Sequence, residues 1–264
     1  MTNSGAARRA VVTGASTGIG EAAVRALRAS GWDVVGVARR AERLEALAAQ
    51  TGATAFPADL TDADQIEALA THLAQTGPVH AVVHVAGGAR GTERVEDGLA
   101  DKWRWMFEAN VLAVQQLTAA LLPQLRAAAA DGGHADLLFV TSVAARDPYP
   151  GGSGYNAAKA AEAMIPQVLR QELHGEPIRI TEIAPGLVHT EEFALRRLGG
   201  DAAAAEAVYS GVGEPLVADD IADLITYALN APGHVNLDLV VIRPVAQAAP
   251  HLLARGPLRP RGED

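Results

Sequence analysis

Cysteine is absent from the 264 residues, which excludes disulfides, cysteine-ligated zinc and thiol catalysis while leaving the redox compartment open. Aromatic residues make up only 4%, so Ala, Val, Leu and Ile must do the packing, as parallel sheets covered by helices prefer. Basic residues are outnumbered: 22 Lys and Arg against 31 Asp and Glu give a net charge of -9. That balance argues against a grip on nucleic acid or an anionic membrane, and small molecules are the expected partners. A long apolar run is missing too. The longest candidate, NVLAVQQLTAALLPQLRAAAA, carries Gln, Pro and Arg and reads as an amphipathic buried helix. The start, MTNSGAARRAVVTG, lacks the apolar stretch of a secretory signal, so the chain is expected to be soluble and cytoplasmic. The histidines show no metal-ligand spacing, and no metal is assigned.

What is present is an alternation. Seven short apolar runs, AVVTG, DVVGVA, ATAFPAD, VHAVVHVAGG, ADLLFVTS, IRITEIAPG and LDLVVIRP, are separated by helical patterns. Each run is continuous in its hydrophobicity, so an α/β fold is expected, a doubly wound Rossmann fold with a seven-stranded parallel sheet and helices on both faces. Length does not force a second domain, and residues 1–264 read as one. In TDADQIEALATHLAQTG, Thr61 followed by Asp64 reads as a helix start, and Gly77 with Pro78 as its stop. The tail from 254 to 264, rich in Pro, Gly and charge, is expected to be mobile unless a partner subunit holds it.

The first turn of such a fold is TGASTGIG, Thr13 to Gly20, with glycines at Gly14, Gly18 and Gly20. A pyrophosphate would meet the helix N-terminus there. Gly14 would allow the tight turn, Gly18 the approach of backbone N–H groups, and Gly20 the packing of helix on strand. The second run ends GVARRAERL. Ala38 stands where an acid would bond a ribose 2′-OH, and Arg39 and Arg40 follow, residues that suit a 2′-phosphate. The expected cofactor is therefore NADP(H).

A second constellation lies in VTSVAARDPYPGGSGYNAAKAA. Ser142 ends a strand, and Tyr155 and Lys159 share a helix face one turn apart. A free phenol titrates near 10, so acid or base work near neutrality asks for a shift of up to roughly 3 units, which a neighbouring ammonium favours.

Taken together, TGASTGIG, ADL at 58–60, VAGG at 85–88, NV at 110–111, TS at 141–142, YNAAK at 155–159 and PGLVHT at 185–190 resemble the short-chain dehydrogenase/reductase family from Ala10 to about Pro244. The resemblance implies that Tyr155 is the catalytic acid/base, that Ser142 bonds the substrate oxygen, that Lys159 orients the nicotinamide ribose and lowers the tyrosine pKa, and that Asn110 completes a water-linked proton relay. It implies a cofactor site at Gly14, Ser16, Thr17, Gly18, Ile19 and Gly20, with Arg39 and Arg40. Asp59 and Leu60 would meet the adenine and Ala86 and Gly87 would line the cofactor. Tyr155, Lys159, Pro185, Gly186, Val188 and Thr190 would hold its nicotinamide end. Val85 departs from the family's usual asparagine, which puts local pinning of the sheet in doubt; His84 beside it reads as a core or edge histidine.

The stretches TEEFALRRLGGDAAAAEAVYSG and HVNLDLVVIRPVAQ resemble the subgroup of NADP-dependent 3-hydroxy acid, or serine-type, dehydrogenases, which implies a lid over 191–213 and a small polar substrate. A substrate carboxylate would need a cation, with Arg90, Arg94, Arg146, Arg196 and Arg197 as candidates. The family also implies a homotetramer, with contacts along helices expected over 109–130 and 153–174. The expected activity is NADP(H)-dependent interconversion of a secondary alcohol and a ketone. A biosynthetic ketoreductase acting on a bulkier natural product and a non-catalytic NADP(H)-sensing protein remain the alternatives.

Overall fold

The apolar runs form seven strands: β1 (Arg9–Thr13), β2 (Asp33–Ala38), β3 (Thr54–Pro57), β4 (Ala81–His84), β5 (Ala135–Val140), β6 (Ile178–Pro185) and β7 (Leu239–Ile242). In a computed structural model that describes residues 7–130 and 133–260, they pair in parallel in the order β3-β2-β1-β4-β5-β6-β7. Strand order reverses between β1 and β4, and that switch point opens the crevice at their carboxyl ends.

Successive strand residues point to opposite faces, so each strand supplies two cores. Val11, Leu137 and Phe139 pack on one side with Leu69 and Leu73 of α3 (Ala63–Thr76) and Leu117, Leu121 and Leu125 of α5 (Ala113–Ala129). Val12, Val83 and Leu138 pack on the other with Val24 and Leu27 of α1 (Gly18–Ala29), Leu44 and Leu47 of α2 (Ala41–Thr51), and Ile221 and Ile225 of α9 (Ala218–Asn230). Both sheet faces are covered, as continuous apolar runs require.

The helices correct some expected boundaries. α5 does not begin at 109: α4 (Ala100–Phe107) passes through a π turn, Glu108–Leu112, into α5. α6 spans Ser153–Glu172, ending two residues short of the expected 174. The N-cap of α3 is Asp62, whose carboxylate accepts from the Asp64 and Gln65 amides, while the Thr61 hydroxyl bonds Asp59 instead. A carboxylate is the stronger acceptor for the bare N–H groups of a first turn. β5 ends at Val140, so Ser142 lies two residues past the strand and caps the short turn Val143–Ala145.

Pinning at β4 does not need the missing asparagine. The Thr13 hydroxyl accepts from the Val85 and Ala86 amides, both at 2.9 Å, and donates to the Val83 carbonyl at 3.3 Å. His84 is a core residue, stacked on Phe139 at 4.8 Å with Nε2 3.1 Å from the Thr118 hydroxyl.

Beyond β6, Val188–His189 pairs with Leu216–Val217, bracketing α7 (Phe193–Arg197) and α8 (Ala202–Tyr209). In the tail, the Ala254 and Gly256 amides donate to Ala246 and Gly211; residues 261–264 lie outside the described residues. No helix among the described residues is long and apolar enough to cross a membrane.

Burial lowers the His84 imidazole from 6.5 to about 3, so it is neutral in the fold. The unfolded chain binds the extra proton between those two values, and this contribution to stability is full above 6.5 and lost as pH falls. Between pH 7 and pH 5 the loss should be about 2 kcal/mol. Urea midpoints at the two pH values should show that much less acid loss in His84→Gln; an identical loss would assign the acid sensitivity elsewhere.

Candidate active site

The first cleft, about 270 Å³, lies at the carboxyl ends of β1, β2 and β4. Gly14 turns the chain at φ 67°, and a Cβ there would stand 3.0 Å from the Ala86 nitrogen. At Gly20 a Cβ would lie 2.3 Å from the Gly14 carbonyl, so α1 can start against the turn only with glycine. Thr17 gives α1 no side-chain cap. Its first-turn N–H groups remain available to an anion beside Ser16, Thr17, Gly18 and Ile19, all of which line the cleft.

Farther along, Ala38, Asp59, Leu60, Ala86 and Gly87 line the same cleft. The two arginines diverge. Arg39 is half exposed, with Nη1 3.9 Å from Asp59. Arg40 turns inward, donating to the Ser16 hydroxyl at 3.0 and 3.2 Å and pairing with Glu192 at 2.5 Å. Arg43 pairs with Glu191 at 3.0 Å and Arg196 with Glu192 at 2.7 Å. The segment after β6 therefore holds two of the cleft's arginines, Arg40 and Arg196, by its own Glu192.

The second cavity, about 420 Å³, meets the first at Ile19, Thr190 and Phe193. Ser142, Tyr155, Pro185, Gly186 and Val188 line it, with Tyr149, Leu187, Leu198, Val208 and Tyr209 on its outer walls. The Ser142 hydroxyl accepts from the Ala144 amide at 3.1 Å and lies 3.5 Å from the Pro185 carbonyl. Tyr155 is buried, its ring edge-on to Phe193 at 5.7 Å. Burial pushes its phenol above the ordinary value, against the Lys159 charge and a hydrogen bond with Ser142. Lys159 thus acts in the expected direction, and in the protein alone burial outweighs it.

Lys159 and Asn110 stand behind the junction, lining neither cavity. The Lys159 ammonium lies 3.3 Å from the Val140 carbonyl and 2.6 Å from Glu162. Burial disfavours the ammonium, but the charges of Glu162 and Tyr155 outweigh it and hold the amine above its usual value. Asn110, fully buried in the π turn, accepts from the Gly88 amide and donates to the Gly88 and Met106 carbonyls. Its side chain is committed to holding the loop after β4.

Of the five candidate arginines, four are engaged elsewhere. Arg146 pairs with buried Glu182 at 2.6 Å, Arg196 with Glu192, exposed Arg94 lies 3.9 Å from Glu96, and Arg90 stacks over Trp105 at 3.9 Å. Arg197 lines the second cavity and forms no ion pair among the described residues. It donates to the Tyr149 hydroxyl at 2.7 Å and to the Gly91 and Gly151 carbonyls, with its guanidinium 5.6 Å from the Tyr155 ring.

Glu162 and Glu182 entered no expected site, and Glu192 and Phe193 entered only as part of the expected lid over 191–213. For Glu162 a signal was present: it follows Tyr155 and Lys159 at helical spacing on the same face of α6.

A family model for short chain dehydrogenases matches residues 8–198. A Mycobacterium tuberculosis protein named only as an uncharacterized oxidoreductase is 50% identical over 260 residues, 98% of this chain and 100% of its own. Serine 3-dehydrogenase of Agrobacterium fabrum is 37% identical over 241 residues, covering 90% of this chain and 94% of that one. The solved closed form of a serine dehydrogenase complexed with NADP+ superposes with a TM-score of 0.87 at 31% identity, covering 94% of this chain and 99% of that one.

Proposed function

This chain belongs to the short-chain dehydrogenase family of oxidoreductases, and from that premise we propose that it is an NADP(H)-dependent enzyme interconverting a secondary alcohol and a ketone that carries an anionic group. The observation that supports this most is the junction of the two cavities beside Tyr155 and Ser142, with the cation of Arg197 across the chamber from them. When bound, the nicotinamide would supply or accept the hydride. It would be held by the glycine turn and the α1 N-terminus, with Lys159 toward its ribose and Pro185, Gly186, Val188 and Thr190 at its nicotinamide end.

In this reading Ser142 and Tyr155 both bond the substrate oxygen. Tyr155 gives its proton to that oxygen in reduction and removes it in oxidation. Asn110 fixes Gly87 and Gly88, the backbone floor of the cofactor cleft: a Cβ at Gly87 would lie 2.5 Å from its Oδ1. The segment 191–213 serves as the lid, and a cytoplasmic homotetramer packs through α5 and α6. The names of the relatives favour a small hydroxy acid as substrate. The chamber favours, as a second reading, a bulkier ketone, because Leu187, Leu198, Val208, Pro250 and Leu253 give it an extended apolar wall.

A panel of keto acids, keto sulfonates and neutral ketones, followed by NADPH absorbance, tests this reading. Tyr155→Phe should bind NADPH within a few-fold of wild type and turn over less than about a tenth as fast. Arg197→Leu should raise KM for the best anionic ketone about 10- to 100-fold, the range of one charge-assisted contact, and leave a neutral ketone unchanged. Equal effects on both ketones would remove the anion anchor.

Cofactor choice is tested by Ala38→Asp with Arg39→Ala. The carboxylate repels a 2′-phosphate and bonds a 2′-OH, so the ratio of kcat/KM for NADPH over NADH should fall by about 10-fold to over 100-fold. A wild-type preference for NADH, or an unchanged ratio in the variant, would defeat the assignment.

A further inference from the structure

Three ionisable groups follow one another along a single face of α6. Tyr155, Lys159 and Glu162 are spaced four and three residues apart, and all three are buried. The three are one cation and two acids. Glu162 Oε2 lies 2.6 Å from the Lys159 ammonium and has no hydrogen-bond partner of its own among the described residues. Of the other charges nearby, Glu182 is matched by an arginine, and Arg197 stands on the chamber side of Tyr155, 5.6 Å from its ring. Glu182 on β6 is held by Arg146 at 2.6 Å and by the Thr141 hydroxyl at 2.6 Å. Tyr149 and Arg197, which face Tyr155 from across the chamber, are bonded to each other.

A buried ammonium is tolerated when one anion balances it, and a second anion in the same low-dielectric pocket is costly. Lys159 can therefore be balanced by a Glu162 carboxylate or by a Tyr155 phenolate, and proton binding at the two acids is coupled through it. We infer that Glu162 is a positioning residue that sets which form of Tyr155 the active site holds. With Glu162 ionised, Lys159 is neutralised from behind and Tyr155 keeps the O–H needed for carbonyl reduction. With Glu162 protonated, the Lys159 charge is free to balance a phenolate, the form needed to take a proton from an alcohol. In reduction the Tyr155 O–H bond breaks and the product O–H bond forms. One solvent proton taken up at Glu162 then holds the cluster at its original net charge, and Glu162 releases it to solvent when Tyr155 is reprotonated.

Burial pushes the Glu162 carboxyl up to about 7 despite the pull of Lys159, so the exchange falls in the working range of pH. The Glu162 charge also acts on Tyr155 in the required direction, holding its phenol up.

The inference rests on Tyr155 being the acid/base, and the test separates the two. Phenolate absorbance is titrated on the cofactor-free protein, and subtracting Tyr155→Phe isolates one tyrosine among the four in the chain. Glu162→Gln should move the Tyr155 midpoint down by about one pH unit, because Lys159 is left without its second acid. Glu162→Leu, which removes the acid without introducing an amide, should do the same and keeps the test open if the amide disturbs folding. In the Gln variant the pH profile for alcohol oxidation should move to lower pH by the same amount, with KM values unchanged. An unmoved Tyr155 midpoint in the folded variants overturns the role of Glu162. Turnover retained by Tyr155→Phe would instead overturn the acid/base assignment, whatever Glu162 does.

Discussion

The ligand-facing end of the sheet depends on the hydroxyl of Thr13. At the switch point the chain leaves β1 and β4 for opposite faces, and the loop after β4 has no neighbouring strand to satisfy its amides. Thr13 takes two of them at once, those of Val85 and Ala86. This tie brings Ala86 so close to the first turn that only glycine fits at 14. From the other side Asn110 holds both the amide and the carbonyl of Gly88. The cleft floor is therefore backbone, fixed by two buried side chains whose polar atoms bond that backbone.

Above that floor, charge is arranged by pairing. The chain carries a net charge of -9, yet its cleft gathers Arg39, Arg40 and Arg196. Such a cluster would repel itself, and Glu191 and Glu192 offset it through pairs with Arg40, Arg43 and Arg196. Because the two acids immediately precede α7, the same contacts join this segment to the nucleotide end of the site. Glu192 is mostly buried and its pairs are screened less by salt than the exposed Arg43–Glu191 pair.

Seven strands were legible because parallel strands buried on both faces read as unbroken apolar runs, and the turn chemistry between them is explicit in glycine. The Tyr155 and Lys159 pair was legible for a different reason: four residues is one helical turn, a local distance. What could not be read was long-range. That Thr13 would do the work expected of an asparagine at 85 depends on strand register across a gap of more than 70 residues. Separating Arg197 from four other arginines required knowing which of them had met an acid or, for Arg90, an aromatic ring. The boundary at Asn110 was missed because a π turn leaves the apolar pattern of a helix intact while shifting its hydrogen bonding by one residue.

Burial acts on His84, Asp136 and Lys159 alike, and their responses differ. His84 becomes neutral and keeps its bond to Thr118. Asp136 is pushed up by burial but is held between Arg8 and Arg179, both at 2.7 Å, so its charge is closed within a network that ties β5 and β6 to the residue preceding β1. Lys159 differs from both. Its partners are two acids that burial drives toward their neutral forms, and one of them, Tyr155, opens onto the chamber. A cation that stays charged between two acids competing to ionise is poorly suited to holding a fold together. It leaves Tyr155 under two opposed influences, because the ammonium favours the phenolate while burial favours the phenol.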